Sequence, residues 1–247
     1  MRALVVCDIH EDEEALTRIR DRMGRERFDH LLVCGDLSRS ASFAEDFLSE
    51  FPDAFVIPGN WDSKAAGEVL AKAKNYVHER RIKLGNGLNV VGFGYSNITP
   101  FRTFGELPEE EIYRRMSNLE IDGDTLLMLH CPPKGHFDEV RDANVANGDT
   151  IAMLQHRGAP VSKTSDIGVA PLVRSVEQVG IHAGSEAILR VVEEKRPLAA
   201  FFGHIHDHHG TAALGKTTLV KVPAAESMRG CIVETDKRKL KTEFVIL

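Results

Sequence analysis

With 247 residues, 43% of them hydrophobic, and no low-complexity tract, the chain suits one α/β domain or two small ones. A formal net charge of −6, without a basic stripe, argues against a nucleic-acid backbone as the partner. No apolar run approaches the ~20 residues of a membrane span, which excludes a spanning helix. In chain order, residues 3–7 are continuously apolar, as expected of a parallel strand covered on both faces. The spacing of Leu16, Ile19 and Met23 then predicts a helix, with an acidic run at 11–14 complementing its dipole and Gly24 as a stop. Residues 31–34 read as a second strand, followed by a helix that turns Phe43, Phe47 and Leu48 inward. A third strand at 54–57 precedes a helix carrying Ala66, Val69, Leu70 and Ala73. Strand–helix alternation with short loops argues for a parallel α/β layer.

A new strand is expected at 89–94, leading into Tyr95-Ser96-Asn97, and Ile112, Met116 and Leu119 place a helix over 108–119. A strand at 125–129 follows, and then 131–183 shows weak periodicity with many Gly, Asn and Pro residues. A long irregular connection of this kind is usually functional or mobile. A helix over 185–195 turns Ala187, Ile188, Val191 and Val192 inward, and 198–202 is a further buried strand. Residues 217–222, 231–235 and 243–246 read as antiparallel pieces of a second sheet. The basic pieces Arg80-Arg81 with Lys83, and Lys237-Arg238-Lys239 with Lys241, read as solvated turns. No repeat or linker is visible, so a single domain over 1–247 is expected. The four cysteines lack C-x-x-C spacing and read as small buried residues of a reducing compartment. Cys7, Cys34 and Cys131 lie near the candidate ligands below, but soft thiolates suit a different class of site. Met1 leads directly into the first strand without the pattern of a secretion signal, and a cytoplasmic location is expected.

The chemistry gathers where the strands end. The first runs into Asp8-Ile9-His10, the second into Gly35-Asp36 and the third into Gly59-Asn60-Trp61-Asp62. The strand at 125–129 stops on His130, and the one at 198–202 on Gly203-His204-Ile205-His206. Sites in open α/β sheets are built at the carboxyl ends of strands. Five strands that all stop on Asp, His or Asn are hard to explain by packing. Oxygen and imidazole donors together suit divalent Mn, Fe, Ni or Zn, with Mn expected first. Two cations ~3.5–4 Å apart need a bridging anion, for which Asp36 is the best candidate. A bridging water, acidified to hydroxide near neutral pH, would attack a phosphate ester in line, without a protein nucleophile.

Taken in order, Asp8-x-His10, Gly35-Asp36, Gly59-Asn60-x-Asp62, His130 and Gly203-His204-x-His206 resemble the calcineurin-like metallophosphoesterases over nearly the whole chain. The resemblance implies a four-layer α/β/β/α sandwich of two mixed sheets flanked by helices. It also implies that Asp8, His10, Asp36 and His206 hold one metal, and Asp36, Asn60, His130 and His204 the other. The expected function is hydrolysis of a small-molecule phosphate ester by a dinuclear metal centre, with phosphodiesters preferred; homo-oligomerisation is left open. One position departs from the family. Its third motif usually reads Gly-Asn-His followed by an acid, and here Trp61 replaces that histidine. An indole has only a weak N–H donor, whereas general acid–base help is worth about 10²–10⁴-fold. The alternative reading is therefore a weakened phosphoesterase fold serving as a protein-binding scaffold. Asp62, without its usual histidine partner, would be structural. Candidate substrate contacts are Trp61, Asn97 at a strand end on the ligand side, and His182 ahead of a helix. Pro132-Pro133 reads as a rigid turn, His208 and His209 as exposed or outside the ligand set, and His30, His78, His136 and His156 have no supporting context.

Overall fold

The computed structural model of the chain describes residues 1–99, 101–140, 181–236 and 239–247. Its first part repeats one unit, a buried strand followed by a helix. β1 (Arg2–Val6) leads to α1 (Glu13–Arg25), β2 (His30–Cys34) to α2 (Ala41–Glu50), and β3 (Phe55–Ile57) to α3 (Lys64–Leu70). The side chains of Asp12, Ser40 and Ser63 accept the first free amides of these helices, a role that short polar side chains fill best. Then come β4 (Asn75–Tyr76), β5 (Arg81–Lys83), β6 (Asn89–Phe93), β7 (Ser96–Asn97), β8 (Glu106–Leu107), α4 (Glu109–Ser117), β9 (Thr125–Leu129) and β10 (Glu139–Val140). β11 (Ile181–His182), α5 (Glu186–Lys195), β12 (Ala199–Phe202), β13 (Gly210–Leu214), β14 (Thr217–Lys221), β15 (Arg229–Thr235) and β16 (Leu240–Ile246) complete the order.

One sheet has the order β16-β15-β1-β2-β3-β4, parallel from β1 to β4 and antiparallel at β15 and β16. The other is β13-β14-β12-β9-β6-β5, with antiparallel strands only at its edges, β13 and β5. Successive side chains of a strand point to opposite faces, and each sheet uses both. From β1, Leu4 and Val6 pack under the helices with Ile19, Phe47 and Leu70, while Ala3 and Val5 face the second sheet with Met128, Phe201 and Val220. Leu127, Phe202 and Leu219 on the far face of that sheet pack under Ile112, Met116 and Ile188. The result is the expected α/β/β/α sandwich, and no described helix is long and apolar enough to cross a membrane.

Two expectations are corrected. The tail strands do not all share the second sheet: β14 lies in it, antiparallel to β13 and parallel to β12, whereas β15 pairs antiparallel with β1, and β16 with β15, in the first. Arg81 and Lys83 belong to edge strand β5 rather than a turn, and the Arg81 guanidinium pairs with Asp122 at 2.6 Å. Charged side chains are well placed on a sheet edge because they discourage further pairing. Lys241 lies in β16, and Lys237 and Arg238 lie outside the described residues. Of the segment read as irregular, 141–180 lies outside them too; its flanks pair antiparallel, Glu139 with His182 and Val140 with Ile181.

Candidate metal centre

The backbone turns sharply where the parallel strands stop. Asp8, His10, Asp36 and His204 have positive φ of 53°, 51°, 52° and 73°. Such angles are uncommon away from glycine and concentrate at functional sites. They are held by bonds between neighbouring loops: Asp8 N donates to Gly35 O (3.1 Å), His10 N to Asp36 O (3.1 Å) and Gly203 N to His130 O (3.0 Å). Glycine is required at two contacts. A Cβ on Gly59 would overlap the Asp36 carboxylate, and one on Gly203 would overlap the Asp8 carboxylate and Cys7 Sγ.

These turns bring the expected ligands together in two groups. Donor atoms of Asp8, His10 and His206 lie within 4.8 Å of one another, as do those of Asp36, His130 and His204. Asp36 reaches across: Oδ2 is 3.8 Å from His10 Nε2 and Oδ1 is 3.3 Å from His130 Nε2. Asn60 joins the second group, its Oδ1 2.8 Å from His130 Nε2. Among the described residues His10 Nε2 is buried without a hydrogen-bond partner. Buried polar atoms are normally satisfied, so this nitrogen, in an oxygen and imidazole donor set, fits a divalent cation.

Opposite charges dominate the centre. Burial would raise the Asp8 carboxyl, but His206, His130 and the buried Lys221 outweigh it and hold it well below the usual range. Burial likewise opposes charge on His130 and His206, yet Asp36 pushes His130 up to about 9, and Asp8 with Glu226 pushes His206 up to about 10. His204 goes the other way, to about 3, through burial and the His130 charge. Imidazole must be deprotonated to ligate, so a cation would take the place of these protons.

Outer contacts orient the rings. His130 Nδ1–H donates to Cys34 O at 3.0 Å, and His206 Nδ1 pairs with Glu226 Oε1 at 2.9 Å, so each ring presents Nε2 to the centre. Asp62 accepts Gly59 N and Ser38 N, both at 2.6 Å, and so ties two ligand loops together; burial and Asp36 push its carboxyl up to about 7. Glu226, Lys221 and Thr103, whose Oγ1 accepts from Asn60 Nδ2 at 2.6 Å, escape a reading of the sequence as site residues. Only Lys221 leaves a local signal, as a lysine inside the apolar run Leu219-Val220-Lys221-Val222. It is buried, donating from Nζ to Gly203 O at 2.6 Å.

A cavity of about 270 Å³ opens over the centre, lined by His10, Asp36, Trp61, Phe101, Ile205 and Glu226 among others. Trp61 N donates to Asp36 Oδ1 at 2.8 Å, and its ring meets His10 edge-on at 4.7 Å. Asn97 and His182 do not line the cavity. The Asn97 amide is used inside the protein, donating to Ala183 O (3.2 Å) and accepting from Cys131 Sγ (3.3 Å), and His182 Nδ1 pairs with Asp138 at 2.7 Å. His209 is exposed and packs on Phe244, while His78 is buried and accepts from Gly94 N.

The sequence profile of the calcineurin-like phosphoesterases matches residues 1–208. The chain belongs to this family. Its members typically bind two divalent metals, which agrees with the two candidate groups of ligands. An uncharacterized protein of Methanocaldococcus jannaschii is 27% identical over 200 residues, covering 78% of this chain and 76% of its own. A solved structure from Thermus thermophilus superposes with a TM-score of 0.63 at 14% identity, covering 98% of this chain and 97% of that one. A dimetal phosphatase from Danio rerio superposes with a TM-score of 0.56 at 11% identity, covering 98% of both chains. At these identities the structural likenesses show the fold.

Proposed function

We propose that this phosphoesterase-family chain works as a two-metal phosphodiesterase, with residues 1–247 forming a single domain. The observation that carries the reading is Asp36, whose two oxygens face different groups of donors. Bound there, two divalent cations (Mn first, with Fe, Ni and Zn as alternatives) would supply an activated water as nucleophile and stabilise charge on the phosphoryl oxygens. The protein groups place that chemistry. Asp8, His10 and His206 are proposed to hold one cation, Asn60, His130 and His204 the other, and Asp36 both.

The preference for diesters rests on two features of the cavity. Trp61 stands where a family histidine would assist the leaving group, and an indole cannot deliver a proton there. The wall also carries Asp207 and Glu226 beside the apolar Trp61, Phe101 and Ile205. Carboxylates oppose the second negative charge of a monoester, while an apolar wall accepts the second substituent of a diester. All four cysteines are free and buried, which supports the cytoplasmic reading.

The test compares Mn²⁺-loaded protein on bis-nitrophenyl phosphate and on nitrophenyl phosphate, with alkyl esters added for poor leaving groups. The diester is expected to be cleaved faster. Trp61→His should speed the poor leaving groups by up to about 10²-fold and the good ones much less. Equal effects on both would contradict the assigned consequence of Trp61. Absence of metal-dependent hydrolysis of any ester would favour the scaffold reading.

A further inference from the structure

We infer that Thr103 and Glu106 are positioning residues that fix which end of the Asn60 amide faces the metal centre. The inference rests on Asn60 being a metal ligand. An amide side chain has a donor end and an acceptor end of nearly the same shape, and only Oδ1 can ligate a cation. His130 does not select that end by itself. With Nδ1–H given to Cys34 O, its Nε2 is the ligating atom; the proton that Nε2 carries without metal favours Oδ1, but ligation removes that proton and the preference with it.

The selection comes from the other side. Asn60 Nδ2 lies 2.6 Å from Thr103 Oγ1, and Thr103 Oγ1 lies 2.5 Å from Glu106 Oε1. A hydroxyl has one proton, and an ionised carboxylate can only accept. Thr103 must therefore donate to Glu106, which leaves only lone pairs facing Asn60, and these accept from Nδ2 but repel Oδ1. Glu106 is held in this role by further donors: Thr103 N (2.9 Å), Thr99 N (3.0 Å) and Thr99 Oγ1 (2.5 Å). Burial works against its charge, but these bonds outweigh it and lower its pKa.

The loop between β7 and β8 is also fixed to the Asn60 backbone. Gly105 N donates to Asn60 O at 3.1 Å, and a Cβ on Gly105 would come within 2.6 Å of Gly59 O and 2.8 Å of Asn60 Cα. The same loop sends Thr99 and Phe101 to the cavity wall. One short segment thus orients a ligand and shapes the space above it.

The experiment titrates Mn²⁺ into chelator-treated full-length chain by calorimetry, for wild type and for Asn60→Ala, Thr103→Val, Thr103→Ser and Glu106→Gln. Asn60→Ala identifies the binding step that depends on the amide. Thr103→Val is expected to weaken that same step by about 10–100-fold, the usual cost of losing an outer partner, and to leave the other step within about twofold. Thr103→Ser, which keeps the hydroxyl, should restore it. Glu106→Gln keeps the shape but can donate to Thr103, so the hydroxyl is free to turn toward Asn60, and the same step should weaken. Its near-identical size makes it the variant to rely on if Thr103→Val fails to fold. Unchanged binding in Thr103→Val and Glu106→Gln, or equal weakening in Thr103→Ser and Thr103→Val, would overturn the inference. A wild-type chain that binds fewer than two Mn²⁺ would instead overturn the metal-centre reading on which it rests.

Discussion

The two ends of β1 are built on opposite terms. At its amino end the Arg2 guanidinium pairs with Glu26 at 2.5 Å and Glu234 at 3.2 Å, and it lies over the Phe28 ring at 4.6 Å. Past its carboxyl end, Asp8 and His10 sit in left-handed backbone, Asp8 is fully buried, and His10 Nε2 has no hydrogen-bond partner among the described residues. One end satisfies its charges and relaxes. The other holds strain and an unmet polar atom, the signature of residues kept for a ligand rather than for stability. Substitutions at the carboxyl ends should therefore cost function before they cost fold.

Asp36→Ala is the most severe case. Metal-dependent hydrolysis should fall below detection, and elemental analysis should find both metals largely lost. Two tightly bound metals in this variant would show that Asp36 does not bridge.

His78 sharpens the contrast, because it is an imbalance of the opposite kind. It lies just past the carboxyl end of β4, yet its Nδ1 accepts from Gly94 N at 2.9 Å and it is buried away from the ligands. Burial, with the charges of Arg115 and Arg80, lowers its pKa from 6.5 to about 4. The unfolded chain therefore binds a proton that the folded chain refuses, so stability falls as pH drops from 6.5 toward 4. The full effect is about 3 kcal/mol. Urea unfolding of metal-free wild type and His78→Gln across this window should show a shallower acid loss in the variant. Parallel curves would mean that His78 is not held neutral by the fold.

The smallest effect is expected at His10. Metal-free His10→Leu should be as stable as wild type or more so, by up to about 1 kcal/mol, because a buried nitrogen without a partner is removed. A clear loss of stability would show that His10 supports the fold as well as the metal.

The candidate ligands were readable because parallel strands are continuous apolar runs, and the polar residues that stop them stand out. Asp8, Asp36, His130 and His204 needed no tertiary information. The partners of the tail strands could not be read: a short alternating run announces a strand, while its neighbour is chosen by distant residues, as β15 is by β1. Glu226 and Thr103 meet the candidate ligands His206 and Asn60 through contacts distant in sequence, and Glu106 reaches Asn60 only through Thr103, so no spacing marks them. Asn97 and His182, which do not line the cavity, show the same effect in reverse. Each is a polar residue in a suggestive place whose partner, Ala183 O for one and Asp138 for the other, comes from elsewhere in the chain.

A pair of cations joined by Asp36 would be visible in the electron paramagnetic resonance of bound Mn²⁺. Chelator-treated wild type given two equivalents of Mn²⁺ should bind both and show an exchange-coupled spectrum, which Asp36→Ala should lose. A single bound Mn²⁺ per chain, or two that remain magnetically isolated, would contradict it.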